Sequence, residues 1–592
     1  MVEPKGPLRV ARVRSNWRNR DGTLGAHESA LLRQTWRDGA KVRHRTLASL
    51  THMPAAEVDA LEAVLNRGER PGPSGPVGAE ISGGTRHGDV AAVWAMADKL
   101  GLPGLLGPAG PRRDQALALV VARLARPASK LATLAWLADT TLGRDLGLDG
   151  MTSDDAYEAM DWLGARQGAV EQALAAKHLM DPAANPARLA LFDLTSTWVE
   201  GTCCPLAEFG YSRDKKRGKR QIEFAILAAP DGTPVAVRPF KGSTSDPTAA
   251  LAAIKALAEE FKMDRAVLVG DRGMVTNTTI ADLKANQMGW VGALKRPQIK
   301  ALADDQGPLQ MSLFDTQDLA EITSPDYPGE RLIACDNPPA GAHRAAKRER
   351  LVEATLADLA KVMARVEKGR LRSERAIGVA VGKVIDAHHA ARFVQVRIGP
   401  GEFAYGRNQP AIAQDAMLDG IYVIRTSLTA DQMGAADAVL CYKRLSKVEQ
   451  DFASMKGFDV QVRPIWHHLG HRVASHLLIC LLAAHLAFHL RKAWAPITFA
   501  DEEPDPAPDP VKPRKRSTSS ARKASTRKLA DGTRARSFRD VLDHLSLIQR
   551  STVTVTVGAQ ATILERTAVL DTAQAEAFRL IGATMPTRFS PS

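Results

Sequence analysis

Cysteine is scarce and scattered in this 592-residue chain: Cys203, Cys204, Cys335, Cys441 and Cys480, an odd number with no Cys-x2-Cys pair. That argues against a disulfide framework or a cysteine zinc site and fits a reducing cytosol. Aromatics are few, at 5%, although 45% hydrophobic residues is ordinary for globular cores. Long apolar runs are missing too. The most apolar stretch, SHLLICLLAAHLAFHL (475–490), carries His476, His485 and His489. It is short for a bilayer span and reads as a buried helix, so no membrane partner is expected. The opening MVEPKGPLRVARVRSNWRNR has no apolar core of the kind an export leader needs, and a cytoplasmic, nucleoid-associated protein is expected.

Acid is nearly absent from one segment. Between Lys512 and Arg539 there are eleven Lys or Arg against the single acid Asp531, which accounts for most of the formal net charge of +13. A basic, Ser/Thr-rich tract suits a nucleic-acid phosphate backbone or, equally, a solvated linker.

The length calls for several domains. Residues 1–67 hold a basic hairpin, LLRQTWRDGAKVRHRTL, turning at Asp38-Gly39, and 68–84 is a Pro/Gly linker. Residues 85–185 are helical, either a DNA reader or a bundle bracing the next domain. From 186 to 295 strands and helices alternate: LALFDLTSTW, then two strands joined at Asp231-Gly232, then a helix capped by Asp246. RAVLVGD, a further helix and WVGALK complete this part. The order is that of a ribonuclease-H-like mixed sheet with flanking helices. An inserted α+β domain is expected over 296–415, with strands around VGKVIDAH and ARFVQVRIG. The second part of the core follows at 416–495, a basic linker at 496–536 and a small appendage at 537–592.

LALFDLTSTW poses the chemical question, because a strand that should be buried carries Asp193 in its middle. An unpaired buried carboxylate is costly or is forced neutral. Asp271 ends another strand of the same expected sheet, so the two acids would converge. Two such carboxylates are comfortable only with a shared proton or a cation, and hard divalent ions prefer oxygen ligands. A third acid is expected from a helix over 441–457. At 100° per residue, Tyr442, Glu449 and Lys456 fall on one narrow arc beside an apolar stripe of Leu445, Val448, Phe452 and Met455. On periodicity alone, Glu449 reads first as a surface acid paired with Lys447 or Lys456.

Together, Asp193 in LFDLTST, Asp271 in VGDRG and Tyr442-x2-Leu445-x3-Glu449-x6-Lys456 resemble the DDE transposases of bacterial insertion sequences. The likeness is to the cut-and-paste branch marked by a Tyr-x2-Arg-x3-Glu-x6-Lys signature. FKGSTSDPT before a helix and RPIWHHLGHRVASHLLICLLAAHLAFHL after the Glu share it, over about residues 85–493. One position departs: Leu445 stands where the signature has Arg, and Arg444 points about 100° away on a helix. Either another cation takes over that DNA contact or it is dispensable in this branch.

The resemblance implies two Mg²⁺ (or Mn²⁺) ions held by Asp193, Asp271 and Glu449, which cut at the transposon ends and join the 3′-OH to target DNA. It also implies double-stranded DNA as partner and a homodimer on it, with Tyr442 and Lys456 on the end's phosphates. Arg463 and Arg472 begin a basic, DNA-facing helix start. Other groups are assigned elsewhere: Asp246 to the helix cap, Glu200 and Glu223 to solvated strand edges, Trp290 to a buried strand. His467 and His471 have the spacing of a zinc pair but lack the Glu of His-Glu-x-x-His. The cluster DKKRGKR (214–220) is a loop at the strand ends, meeting phosphates or solvent. The rival readings are an end-binding protein without catalysis and a metal-dependent nuclease without joining.

Overall fold

The computed structural model describes residues 8–18, 24–38, 41–65, 78–263, 265–304, 307–315, 317–501, 510–511, 516–557 and 560–590. The chain divides into two compact units, residues 1–83 with 552–566, and 84–551 with 567–592.

In the first unit, Leu8–Arg18, Leu24–Asp38 and Lys41–Ser49 form an antiparallel sheet, with Asp38 opposite Lys41. The turn residues of that hairpin, 39–40, lie outside the described residues. Val10, Leu50 and Val58 make its small core under the helix Ala55–Leu65. Most of a second three-stranded sheet, Gly78–Arg86 with Gln549–Val557 and Gln560–Thr567, falls in the same unit. Residues 78–84, read from sequence as linker, thus begin a strand, while 68–77 lie outside the described residues.

The second unit is built on an eight-stranded mixed sheet. Its strands are β1 (Leu189–Trp198), β2 (Gln221–Ala228), β3 (Pro234–Lys241), β4 (Val267–Gly270), β5 (Gly289–Ala293), β6 (Leu319–Ile322), β7 (Arg331–Asp336) and β8 (Ile421–Thr426). They lie in the order β6-β7-β8-β5-β4-β1-β2-β3. β1, β2 and β3 form an antiparallel meander, and β4 and β5 run parallel to β1. Strands buried on both faces read as continuous apolar runs, and β2 is buried at every position.

Helices cover the sheet. α1 (Gly88–Lys99), α2 (Pro111–Ala125), α3 (Ser153–Gly164) and α4 (Gln167–His178) precede it, and α5 (Asp246–Lys255) follows β3. α6 (Ala435–Lys443), α7 (Leu445–Lys456) and α8 (Gly470–Ala493) come after β8. α8 has 24 residues against the 16 read as apolar from sequence, with a mean hydropathy of 1.9 over its most apolar window. By length and composition it passes the test for a membrane span, but 83% of that window is buried inside the fold. α1, α2, α3 and β3 pack around it. Phe538, Leu542, Phe578 and Ile581, from helices Phe538–Leu545 and Thr572–Ile581, join the same core.

The segment between the second Asp and the Glu gives β6 and β7 to the sheet edge. It also forms helices Pro338–Glu367 and Glu374–His388 with a hairpin, Val394–Gly399 and Glu402–Arg407, over separate small cores. VGKVIDAH is therefore helix and not strand. Ile377, Val381, Val384 and Ile385 recur at helical intervals, and that face packs on Val362 and Phe403. The basic tract is not all linker either: Thr518–Thr526 is a helix in which Lys523 is buried and donates to the Ala500 carbonyl at 2.6 Å. Residues 502–509 and 512–515 of the acidic-proline stretch and tract lie outside the described residues.

Candidate active site

β1 and β4 pair in parallel with Phe192 opposite Gly270. Asp193 and Asp271 are the next residues of each chain, so the two carboxyls stand side by side at the sheet's C-terminal edge, about one strand spacing (~4.8 Å) apart at the backbone. Asp193 Oδ1 accepts the Leu194 N–H at 2.8 Å, and Asp271 Oδ1 accepts the Gly273 N–H at 2.6 Å. Burial, reinforced by Asp271 and Glu449 against the pull of the Leu194 N–H and Arg213, pushes the Asp193 carboxyl up to about 7.

α7 lies across β1 on the face that carries Asp193 and Thr195. Lys456 Nζ donates to Thr195 Oγ1 at 2.5 Å, and Phe452 meets Phe224 edge-on at 5.6 Å between centroids. Leu445, Val448, Phe452 and Met455 are all buried. Glu449 is exposed at the rim of this helix, within electrostatic reach of Asp193 and Tyr442. The helix read as continuous over 441–457 is broken at Arg444, where the chain tightens: the Lys447 N–H reaches the Arg444 carbonyl at 2.9 Å. Tyr442 thus sits at the end of α6, half-buried, its hydroxyl held protonated to about 12 by burial and by Asp271, Asp193 and Glu449. Leu445 opens α7 and faces the core.

None of the ion pairs among the described residues involves Asp193, Asp271 or Glu449. The three carboxylates do not lie within 4.8 Å of one another. Unscreened carboxylates repel, and Glu449 is exposed at the rim.

Further charges surround them, some missed in the sequence. Asp246 is not the cap of α5; Ser245 is, accepting the Thr248 N–H, and this frees Asp246 to pair with Arg213. A side-chain carbon at Gly273 would fall 2.5 Å from an Asp246 oxygen and 3.1 Å from one of Asp271, so both acids crowd the same glycine. Glu223, expected at a solvated edge, is buried one strand away, 3.6 Å from Arg213. Burial pushes its carboxyl up to about 7, with Arg213 opposing. Its position two residues into an apolar strand was the overlooked signal.

The loop between β1 and β2 folds back over this edge. Asp214 accepts Lys456 at 3.0 Å and Arg463 at 2.7 Å, and Arg463 also stacks on Trp198 at 5.3 Å. Arg472 is placed elsewhere, paired with Asp161 of α3 at 3.0 Å over the Tyr157 ring. Glu200 is bound to Lys219 at 2.7 Å, and Trp290 is buried with its N–H on Glu330 at 3.0 Å. His467 precedes α8, so it and His471 do not share a helical turn.

Comparison with known proteins decides the family. The profile of the transposase DDE domain matches residues 189–486, half of the chain, and takes in all three acids. The chain belongs to the DDE transposases. Residues 14–75 of this transposase match the N-terminal domain of the IS1634 family transposases, which places it among the insertion-sequence enzymes. No curated protein matches it. Among solved structures, the piggyBac transposase synaptic complex with hairpin DNA, determined by cryo-EM, is similar over 78% of this chain and 77% of that one. The identity is 9% and the TM-score 0.31.

Proposed function

We propose that this transposase binds its transposon ends as duplex DNA, cuts the phosphodiester there and joins the freed 3′-OH to target DNA. Its core is read as ribonuclease-H-like, an assignment supported by the β3-β2-β1-β4-β5 order: an antiparallel meander followed by two parallel strands. The observation that carries the proposal is the register of Phe192 opposite Gly270, the residues just before Asp193 and Asp271, with Glu449 on the helix crossing above them.

Divalent ions fit this site. Two acids at adjacent register positions, a third within reach and no paired side-chain cation make an all-oxygen donor set of the kind Mg²⁺ or Mn²⁺ takes. Asp193, Asp271 and Glu449 would hold two such ions, which would supply activation of the attacking oxygen and stabilisation of the leaving one. Asp193 and Asp271 are fixed by the sheet and by their backbone N–H donors, so they set the geometry. Glu449 closes on them from the rim. Tyr442 stays a neutral hydroxyl donor beside the acids, suited to a phosphate oxygen. Lys456 and Arg463 share Asp214 and reach DNA by exchanging that partner for a phosphate. Two copies acting on paired ends in the nucleoid complete the reading.

The test is cleavage of a duplex bearing the cognate ends with Mg²⁺. Glu449→Gln should abolish cutting yet leave end binding largely intact, and equal loss of both would make α7 structural. Cutting that persists in Asp193→Ala would remove this active site. The burial of Leu445 at the signature's Arg position favours one second reading, an end-binding protein without catalysis. Wild-type protein that binds ends but never cuts them would establish it.

A further inference from the structure

A second group of potential ligands lies beside the β2–β3 turn, where His485 meets the Pro234 carbonyl. His178 ends α4, and His485 and His489 stand one turn apart on α8. One ring nitrogen from each lies within 4.8 Å of the other two; among the described residues no other three His, Cys, Asp or Glu side chains do this. The ring centroids are 4.8 to 6.0 Å apart.

Two of the ring nitrogens have lost water without gaining a protein partner. Nε2 of His178 and Nε2 of His489 are both shielded from solvent and make no hydrogen bond. His485 lies 3.1 Å through Nδ1 from the Pro234 carbonyl at the start of β3. A carbonyl only accepts, so that nitrogen carries the proton and Nε2 keeps its lone pair. A backbone carbonyl fixing one imidazole nitrogen while the other is offered inward is the arrangement found behind metal-ligating histidines.

We propose that His178, His485 and His489 form a Zn²⁺ site, completed by a solvent ligand. Zinc takes imidazole nitrogens at ~2.0–2.1 Å in a tetrahedron, which sets them roughly 3.3 Å apart. The three nitrogens, now within 4.8 Å of one another, would draw in to that spacing on binding. Imidazole separates this site from the all-oxygen carboxylate cluster, which suits Mg²⁺.

The ion would tie α4 to α8 beside the hairpin on which α7 rests. His485 holds the Pro234 carbonyl at that turn, and Lys447 of α7, two residues before Glu449, donates to the Asp231 carbonyl at 3.0 Å. The site is thus a staple behind the proposed catalytic helix. It does not depend on the reaction assigned above.

Full-length, tag-free transposase is stripped with chelator, titrated with ZnCl2, desalted and analysed for metal content and thermal unfolding. One zinc per chain is expected, with a rise in Tm that chelator reverses. Co²⁺ substitution should give the intense visible bands of a tetrahedral nitrogen site. The His178→Gln/His489→Gln double variant should lose both, whereas His471→Gln and Asp193→Ala should retain both. Wild-type protein that neither keeps zinc nor gains Tm would overturn the proposal and leave a stack of neutral rings. Zinc retained unchanged by the double variant would overturn it as well. Should that variant fail to fold, the wild-type titration decides alone.

Discussion

Asp193 keeps its proton to about pH 7 in the fold, against an ordinary 3.8. A carboxyl raised in this way binds its proton more tightly folded than unfolded. It therefore penalises the metal-free fold increasingly as pH climbs from about 4 to about 7, with the full penalty above. Asp193→Asn should stabilise the metal-free protein at pH 8, by up to about 4 kcal/mol, with the gain vanishing below pH 4. Urea melts of both proteins in chelator across that range check this, and Mg²⁺ should shrink the difference. Glu223 and Asp451, raised by burial to about 7 and about 8, bend the wild-type curve in the same direction, so only the difference between the two proteins isolates Asp193. At this scale the sequence was legible where chemistry contradicted its surroundings, as with an acid inside LALFDLTSTW. Asp246 was not, since an acid before Pro247 has the form of a helix cap, and only the placement of Ser245 shows that the cap is taken.

Elements hold the charged neighbours in place. Asp214, 5% exposed in its side chain, is shared by Lys456 and Arg463. Asp214→Asn should cost about 3 kcal/mol in thermal or urea unfolding, because two cations lose their counter-ion at a part-buried position. Leu445 makes the opposite argument. Restoring the signature Arg at a position only 8% exposed buries a guanidinium in the core. Leu445→Arg should therefore destabilise by about 3 kcal/mol or more and yield no gain in end cleavage. The apolar stripe of α7 was readable because its period is local. The break at Arg444 was not, for residues on both sides favour helix and the tightening answers to packing. Glu374–His388 was misread because Val and Ile suggest a strand, although their spacing is helical.

For the molecule as a whole, charge and pairing matter over distances the sequence does not display. β6 and β7 join the sheet through β8, some ninety residues along the chain from β7, and no local pattern announces such a partner. The basic tract was visible as composition, yet only part of it is free to meet DNA: Lys523 is buried, and Arg539 donates to the Leu124 and Ala125 carbonyls. Deleting the tract would confound folding with binding. Neutralising the exposed Arg516, Arg522, Lys528 and Arg534 to Gln should instead weaken DNA affinity with little sequence preference. It should also flatten the salt dependence, by about 0.9 in slope for each phosphate no longer neutralised. Fluorescence anisotropy against salt on cognate and random duplexes checks both.

α8 has a consequence for how the chain is made. Its sheath of α1, α2, α3 and β3 is synthesised hundreds of residues earlier, so the apolar faces that pack on it have no partner until α8 is made. A product truncated upstream of Gly470 would leave those faces uncovered. A fragment beginning there would present a helix greasy enough to enter lipid. Premature termination therefore yields sticky debris, not a smaller working enzyme.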